Sequence, residues 1–115
     1  MPPKKNPLNL NPLQLKTLTL LQALAQLPEI SRPGEEPGSV VINALPSPHG
    51  DHFHLGDAVV AARDASGLRN SGVWAALVRK GLVRPGEAPG TALLTALGLG
   101  YETGLAESIL HRAPH

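Results

Sequence analysis

The 115-residue chain contains no cysteine. Disulfide staples and thiolate chemistry are therefore excluded, and a reducing compartment fits. Aromatic residues make up only 3% of it, so a core must be assembled from Leu, Val and Ala. Leu and Ala favour helix, and β-branched residues are comparatively few. No apolar run approaches the roughly 20 residues needed to cross a bilayer. The opening Met1-Pro2-Pro3-Lys4-Lys5-Asn6-Pro7 lacks the apolar stretch of a signal peptide. A cytoplasmic protein without membrane association is expected. Catalytic signatures are missing too. There is no Gly-x-Ser-x-Gly elbow, and Gly98-Leu99-Gly100 lies in a helical pattern without the Lys-Ser/Thr of a phosphate loop. The acidic pair Glu35-Glu36 sits in a loop. Neither an enzyme nor a cofactor is expected.

What remains has the size and composition of one domain, 42% hydrophobic and 17% charged. Residues 1–10 read as a flexible basic arm, 11–110 as the domain and 111–115 as a frayed tail. The net charge of +1 hides an uneven distribution. From Pro28 to Asp57 five acids face Arg32 alone. From Ala58 to Arg84 five bases (Arg63, Arg69, Arg79, Lys80, Arg84) face Asp64 alone. Such a stretch can attract a polyanion or form an ordinary solvated face.

Asn11-Pro12 suits the start of a helix, with Asn capping and Pro at its first position. Leu13, Leu18, Leu20, Leu21, Leu24 and Leu27 recur near three- and four-residue spacing until Pro28. This apolar arc is broader than one small core requires; it can face a second copy of the chain or the last helix of its own. Pro33-Gly34 and Pro37-Gly38 mark a loop. Val40-Val41-Ile42 and His52-Phe53-His54-Leu55 read as the two strands of a long-looped hairpin. Asp57 to Ala65 reads as a short Ala-Val helix. Asn70 or Ser71 caps the next, which runs to Lys80 and stops at Gly81, with Val73 and Leu77 on its core side. Leu82-Val83-Arg84 and Thr91-Ala92-Leu93-Leu94 form a second hairpin around Pro85–Gly90. Thr95 caps a final helix weakened by Gly98, Gly100 and Gly104, each by about 1 kcal/mol relative to Ala.

The phrase Leu77-Val78-Arg79-Lys80-Gly81-Leu82-Val83, followed by Leu94-Thr95-Ala96-Leu97-Gly98-Leu99-Gly100-Tyr101-Glu102, resembles the winged-helix core of MarR-type bacterial regulators. The resemblance spans Leu55 to Leu110. It implies an α+β, mainly α winged helix-turn-helix with packing helices at both ends, working as a homodimer on double-stranded DNA. It also implies a recognition helix from Asn70 to Lys80, with Asn70, Ser71, Trp74, Ala75 and Arg79 towards the groove. Arg63, Arg69, Arg79, Lys80, Arg84 and the Lys4-Lys5 arm would then neutralise phosphates. A lone Trp beside Ala75 and Ala76, such as Trp74, is more often half-buried packing than a nucleic-acid contact. The turn between the second pair of strands carries Glu87 and two prolines where the family commonly has a basic tip. The alternative function is a protein–protein interaction module without DNA binding, for which the near-neutral charge, this acidic turn and the Ala and Val of the Asn70–Lys80 helix speak.

His49, Asp51, His52 and His54 cluster in sequence. His52 and His54 share one face of a strand, a geometry that can chelate a metal. A site needs three or four ligands at once, so the histidines are read as solvated and no metal is expected.

Overall fold

The computed structural model describes residues 6–46 and 50–112. Lys4 and Lys5 of the expected arm, His49 of the histidine cluster and the last residues of the tail, 113–115, lie outside the described residues. Helix α1 (Pro12–Leu24) begins where Asn11-Pro12 predicts. The Asn11 side chain accepts the Gln14 N–H at 2.8 Å, and the Gln14 side chain accepts the Asn11 N–H at 3.0 Å, a reciprocal capping box. Leu18, Leu20 and Leu21 are wholly buried, because α1 runs through the middle of the molecule. It packs against a 3-10 helix (Ala62–Arg69) and against helices α2 (Ser71–Arg79), α3 (Ala96–Gly100) and α4 (Ala106–Ile109). The broad leucine arc thus packs within the chain, with Leu18, Leu20, Leu21 and Leu24 buried in the core and Leu13, Leu15 and Leu27 partly buried against it. Thr17 and Thr19, buried on the same helix, donate their hydroxyls to the Leu13 and Leu15 carbonyls, both at 2.8 Å.

The expectation of a mainly helical winged helix-turn-helix is overturned. The protein is a small α+β domain in which two antiparallel sheets share the framework with short helices. One sheet has the order β3 (His52–Leu55), β4 (Ala58–Ala61), β7 (His111–Arg112). Its β4 occupies the start of the segment expected to be a helix. Leu55 pairs with Ala58 across the two-residue turn Gly56-Asp57, and Gly56 takes φ +60 there, the left-handed backbone that a tight hairpin needs. Val59 and Val60, β-branched, then suit strand better than helix. The rest of the expected helix winds as the 3-10 segment. The C-terminal packing helix is also absent as a single element. It is divided into α3 and α4 by a non-helical stretch, 101–105, that includes Gly104 at φ +71.

The other sheet has the order β1 (Ser31–Pro33), β2 (Val40–Ile42), β6 (Ala92–Leu94), β5 (Val83–Pro85). Val40–Ile42 therefore pairs with β1 and β6 and not with His52–Leu55. Arg32 to Leu45 and Arg84 to Leu97 are repeats of one another, identical at eight of fourteen positions. The structure repeats with them. Gly34 N–H bonds the Ser39 carbonyl as Gly86 N–H bonds that of Thr91, and Ser39 N–H bonds the Glu36 carbonyl as Thr91 N–H bonds that of Ala88. Gly38 and Gly90 take φ +77 and +79. Between the two hairpins Val41 pairs with Leu93, its own counterpart in the repeat, so a local two-fold axis passes through the centre of the sheet.

One face of this sheet closes the core through Ile42, Val83, Ala92 and Leu94. The opposite face carries the row Arg32, Val41, Leu93, Arg84, each opposite the next.

Candidate nucleic-acid interface

Helix α2 presents two distinct sides. Val73, Ala76 and Leu77 are buried, the i, i+3, i+4 spacing of a core-facing stripe. Ser71, Ala75, Val78 and Arg79 are exposed and, at i, i+4, i+7 and i+8, line the opposite side. The cap is Asn70, whose side-chain oxygen accepts the N–H of Gly72 at 2.9 Å and of Val73 at 3.2 Å. That oxygen is committed to the helix, and only the amide NH2 of Asn70 is left to donate outward. Gly81 at φ +77 ends the helix, with Leu82 N–H returning to the Leu77 carbonyl at 3.0 Å.

The eight residues expected to meet DNA divide into two groups. Arg63, Arg69, Ser71 and Arg79 are exposed, and among the described residues no carboxylate lies within ion-pair distance of the three arginines. The acid of this basic stretch, Asp64, is buried and paired with Lys16 of α1 at 2.8 Å. Its charge is thereby met inside the fold and not by the neighbouring arginines. The other group is occupied internally. Besides Asn70, Lys80 donates to the Leu8 carbonyl at 2.5 Å, which holds the segment before α1 against the end of α2. Arg84 pairs with Glu36 at 2.7 Å on the coreless face of the sheet. Trp74 is half-buried and packs on the core, its Nε1–H donating to the Leu68 carbonyl at 2.9 Å.

That bond gives a direct test of the Trp74 assignment. Trp74→Phe keeps an aromatic ring and strands a carbonyl, so it is expected to cost about 1–2 kcal/mol in urea unfolding. A neutral substitution would show that the indole N–H contributes nothing.

His52 and His54 lie side by side on β3, Nε2 to Nε2 at 3.0 Å, with His52 Nδ1 3.1 Å from the Asp51 carboxylate. The hydrogen bond from His52, helped by Asp51's own backbone N–H and by the charge of His52, holds the Asp51 carboxyl below its ordinary range. For a lowered acid, any benefit of this pairing is present above the ordinary carboxylate range and lost on acidification through it. Among the described residues no three His, Cys, Asp or Glu side chains converge as a metal site.

The hairpin repeat and the sheet face it builds, with Arg32, Glu36, Val41, Leu93 and Ala88, escaped the reading of candidate site residues. The signal was in the sequence: Arg-Pro-Gly-Glu-x-Pro-Gly occurs twice, 52 residues apart.

No protein-family model matches the chain, and neither a curated protein nor a solved structure matches it. The resemblance to MarR-type regulators thus rests on the short phrases around Lys80 and Thr95, and the winged-helix architecture it implied is not the one observed. No helix among the described residues is long and apolar enough to cross a membrane.

Proposed function

We propose that the chain binds double-stranded DNA in the cytoplasm through the outward side of α2 and its flanking arginines, and acts as a transcription regulator in the form of a homodimer. The observation that supports this reading is the exposed run of Arg63, Arg69, Ser71 and Arg79, whose arginines meet no carboxylate among the described residues. Nine helical residues span about 14 Å, so Arg69 and Arg79 bracket a length of helix that matches several successive phosphates. Between them Ser71 and Ala75 are small, which lets the backbone approach a groove closely. Ser71 and the amide of Asn70 supply hydrogen-bond donors of the kind that reach phosphates or base edges. In a homodimer, two such helices would address successive turns of the duplex, about 34 Å apart.

A second reading, a protein-contact module, is favoured by Val78, which is 39% exposed on the same face near the end of α2. The two readings separate on salt. DNA binding through arginines weakens steeply between about 50 and 200 mM salt, whereas an apolar contact centred on Val78 does not. Fluorescence anisotropy with a labelled duplex is the measurement, and no binding at the lower salt would sink the DNA reading.

A further inference from the structure

The row Arg32–Val41–Leu93–Arg84 is the floor of a cleft of about 420 Å³ walled by residues of the two repeated turns, Glu35 and Glu36 from one and Gly86, Glu87, Ala88 and Thr91 from the other. The volume is that of a small-molecule site. Val41 and Leu93, half-buried at its centre, provide an apolar bed. The arginines at either end are counterparts in the repeat, but they are not treated alike. Arg84 is neutralised by Glu36 at 2.7 Å. The counterpart of Glu36 is Ala88, which also lines the cleft. Arg32 therefore faces a turn from which the matching carboxylate is missing, and among the described residues no acid lies within ion-pair distance of it.

We infer that this cleft binds a small aliphatic monocarboxylate, its carboxylate on Arg32 where the second repeat lacks a glutamate and its apolar chain across Val41 and Leu93. A guanidinium matches a carboxylate in a two-pronged geometry, and charge-assisted hydrogen bonds are the strong ones. The far end of the cleft selects against a second negative charge. There Arg84 is already taken by Glu36, and Glu35 of the same turn adds a second acid to the lining, while its counterpart Glu87 stands beside Ala88 on the other turn, outside ion-pair distance of Arg32. A ligand with one acidic end and a neutral tail fits this polarity, and a dicarboxylate does not. The inference is independent of the DNA reading, which uses Arg63, Arg69 and Arg79 and none of these residues.

Backbone amide shifts in NMR titrations of the full chain with acetate, butyrate, hexanoate, adipate and the capped peptide acetyl-Leu-Glu-Leu-amide provide the test, carried into the tens of millimolar. Affinity is expected to rise from acetate to hexanoate by roughly three- to fourfold per methylene that covers the apolar bed, with shifts at Val41, Leu93 and Ala88. Adipate is expected to bind at least tenfold more weakly than hexanoate. Ala88→Glu is expected to abolish binding by giving Arg32 the partner that Arg84 has, without loss of thermal stability, because the first repeat shows that this turn accepts glutamate at that place. Arg32→Gln is expected to weaken hexanoate at least tenfold. Absence of hexanoate binding, equal affinity across the acids, binding of the peptide in preference to hexanoate, or hexanoate binding unchanged in Ala88→Glu would each overturn the inference.

Discussion

Replacing Gly98 with alanine is expected to destabilise the protein by about 2–4 kcal/mol, although Gly98 stands in a helix, where alanine is ordinarily better. A β-carbon at this position would lie 2.1 Å from the Leu82 carbonyl oxygen and 2.7 Å from Leu94 Cδ1. The oxygen belongs to backbone entering β5, and it accepts the Thr95 N–H at 3.1 Å. Relieving the clash moves that carbonyl, weakens the bond and pushes α3 off the sheet. Helix propensity returns at most about 1 kcal/mol, so the steric cost wins. Gly100, two residues on in the same helix, is the control. A β-carbon there meets nothing within 4 Å, and Gly100→Ala is expected to stabilise by about 0.5–1 kcal/mol. Urea unfolding of the two variants should therefore shift the midpoint in opposite directions. Equal shifts would mean that α3 is not docked against Leu82 as observed.

The triple variant Arg63→Gln, Arg69→Gln, Arg79→Gln is expected to lose most of its affinity for duplex DNA while keeping its fold. Each arginine that neutralises a phosphate contributes about 0.9 to the slope of log affinity against log salt. Removing three should make the slope shallower by roughly 3 units, and at the lower salt affinity should fall by two orders of magnitude or more, on the order of 1–2 kcal/mol per contact. Stability should change little, because all three side chains are exposed and, among the described residues, carry no ion pair. Lys80→Gln and Arg84→Gln provide the contrast. Their charged ends are engaged by Leu8 and Glu36, so these variants should barely alter the salt slope. A slope that depends on Lys80 and Arg84 as much as on the three arginines would transfer the interface to the other side of this division.

Several elements were legible because the information for them is local. The start of α1 needs only Asn11, Pro12 and Gln14, all within one turn. The limits and buried side of α2 follow from Asn70, Gly81 and the spacing of Val73 and Leu77. Elsewhere a local signal has two meanings. Ala58–Ala61 has helix-forming alanines around two valines, and Gly56-Asp57 serves as well for a hairpin turn as for the approach to a helix. The pairing of β4 with β3 on one side and with the distant β7 on the other decided for strand. His52–Leu55 and Val40–Ile42 are strands as their residues predict, but they pair with β4 and with β1 and β6 and not with each other, since a strand of three or four residues carries no record of its neighbour.

The candidate interface shows the same division at the level of single side chains. Five basic residues between Ala58 and Arg84 look alike in sequence, yet Lys80 and Arg84 are occupied by groups more than 40 residues away in the chain. The sequence by itself determined that the core is built of leucine, that α1 and α2 form with their caps, and that the basic charge gathers in the second half, because each of these depends on composition or on contacts within a few residues. Only the tertiary structure decided which of those charges face solvent, which glycine tolerates a side chain, and that two copies of one hairpin meet about a two-fold axis with Arg84 paired to Glu36 and its counterpart Arg32 opposite Ala88. Those outcomes depend on which distant backbone or side chain arrives within about 3 Å, and hydrogen bonds, clashes and ion pairs are decided at that distance.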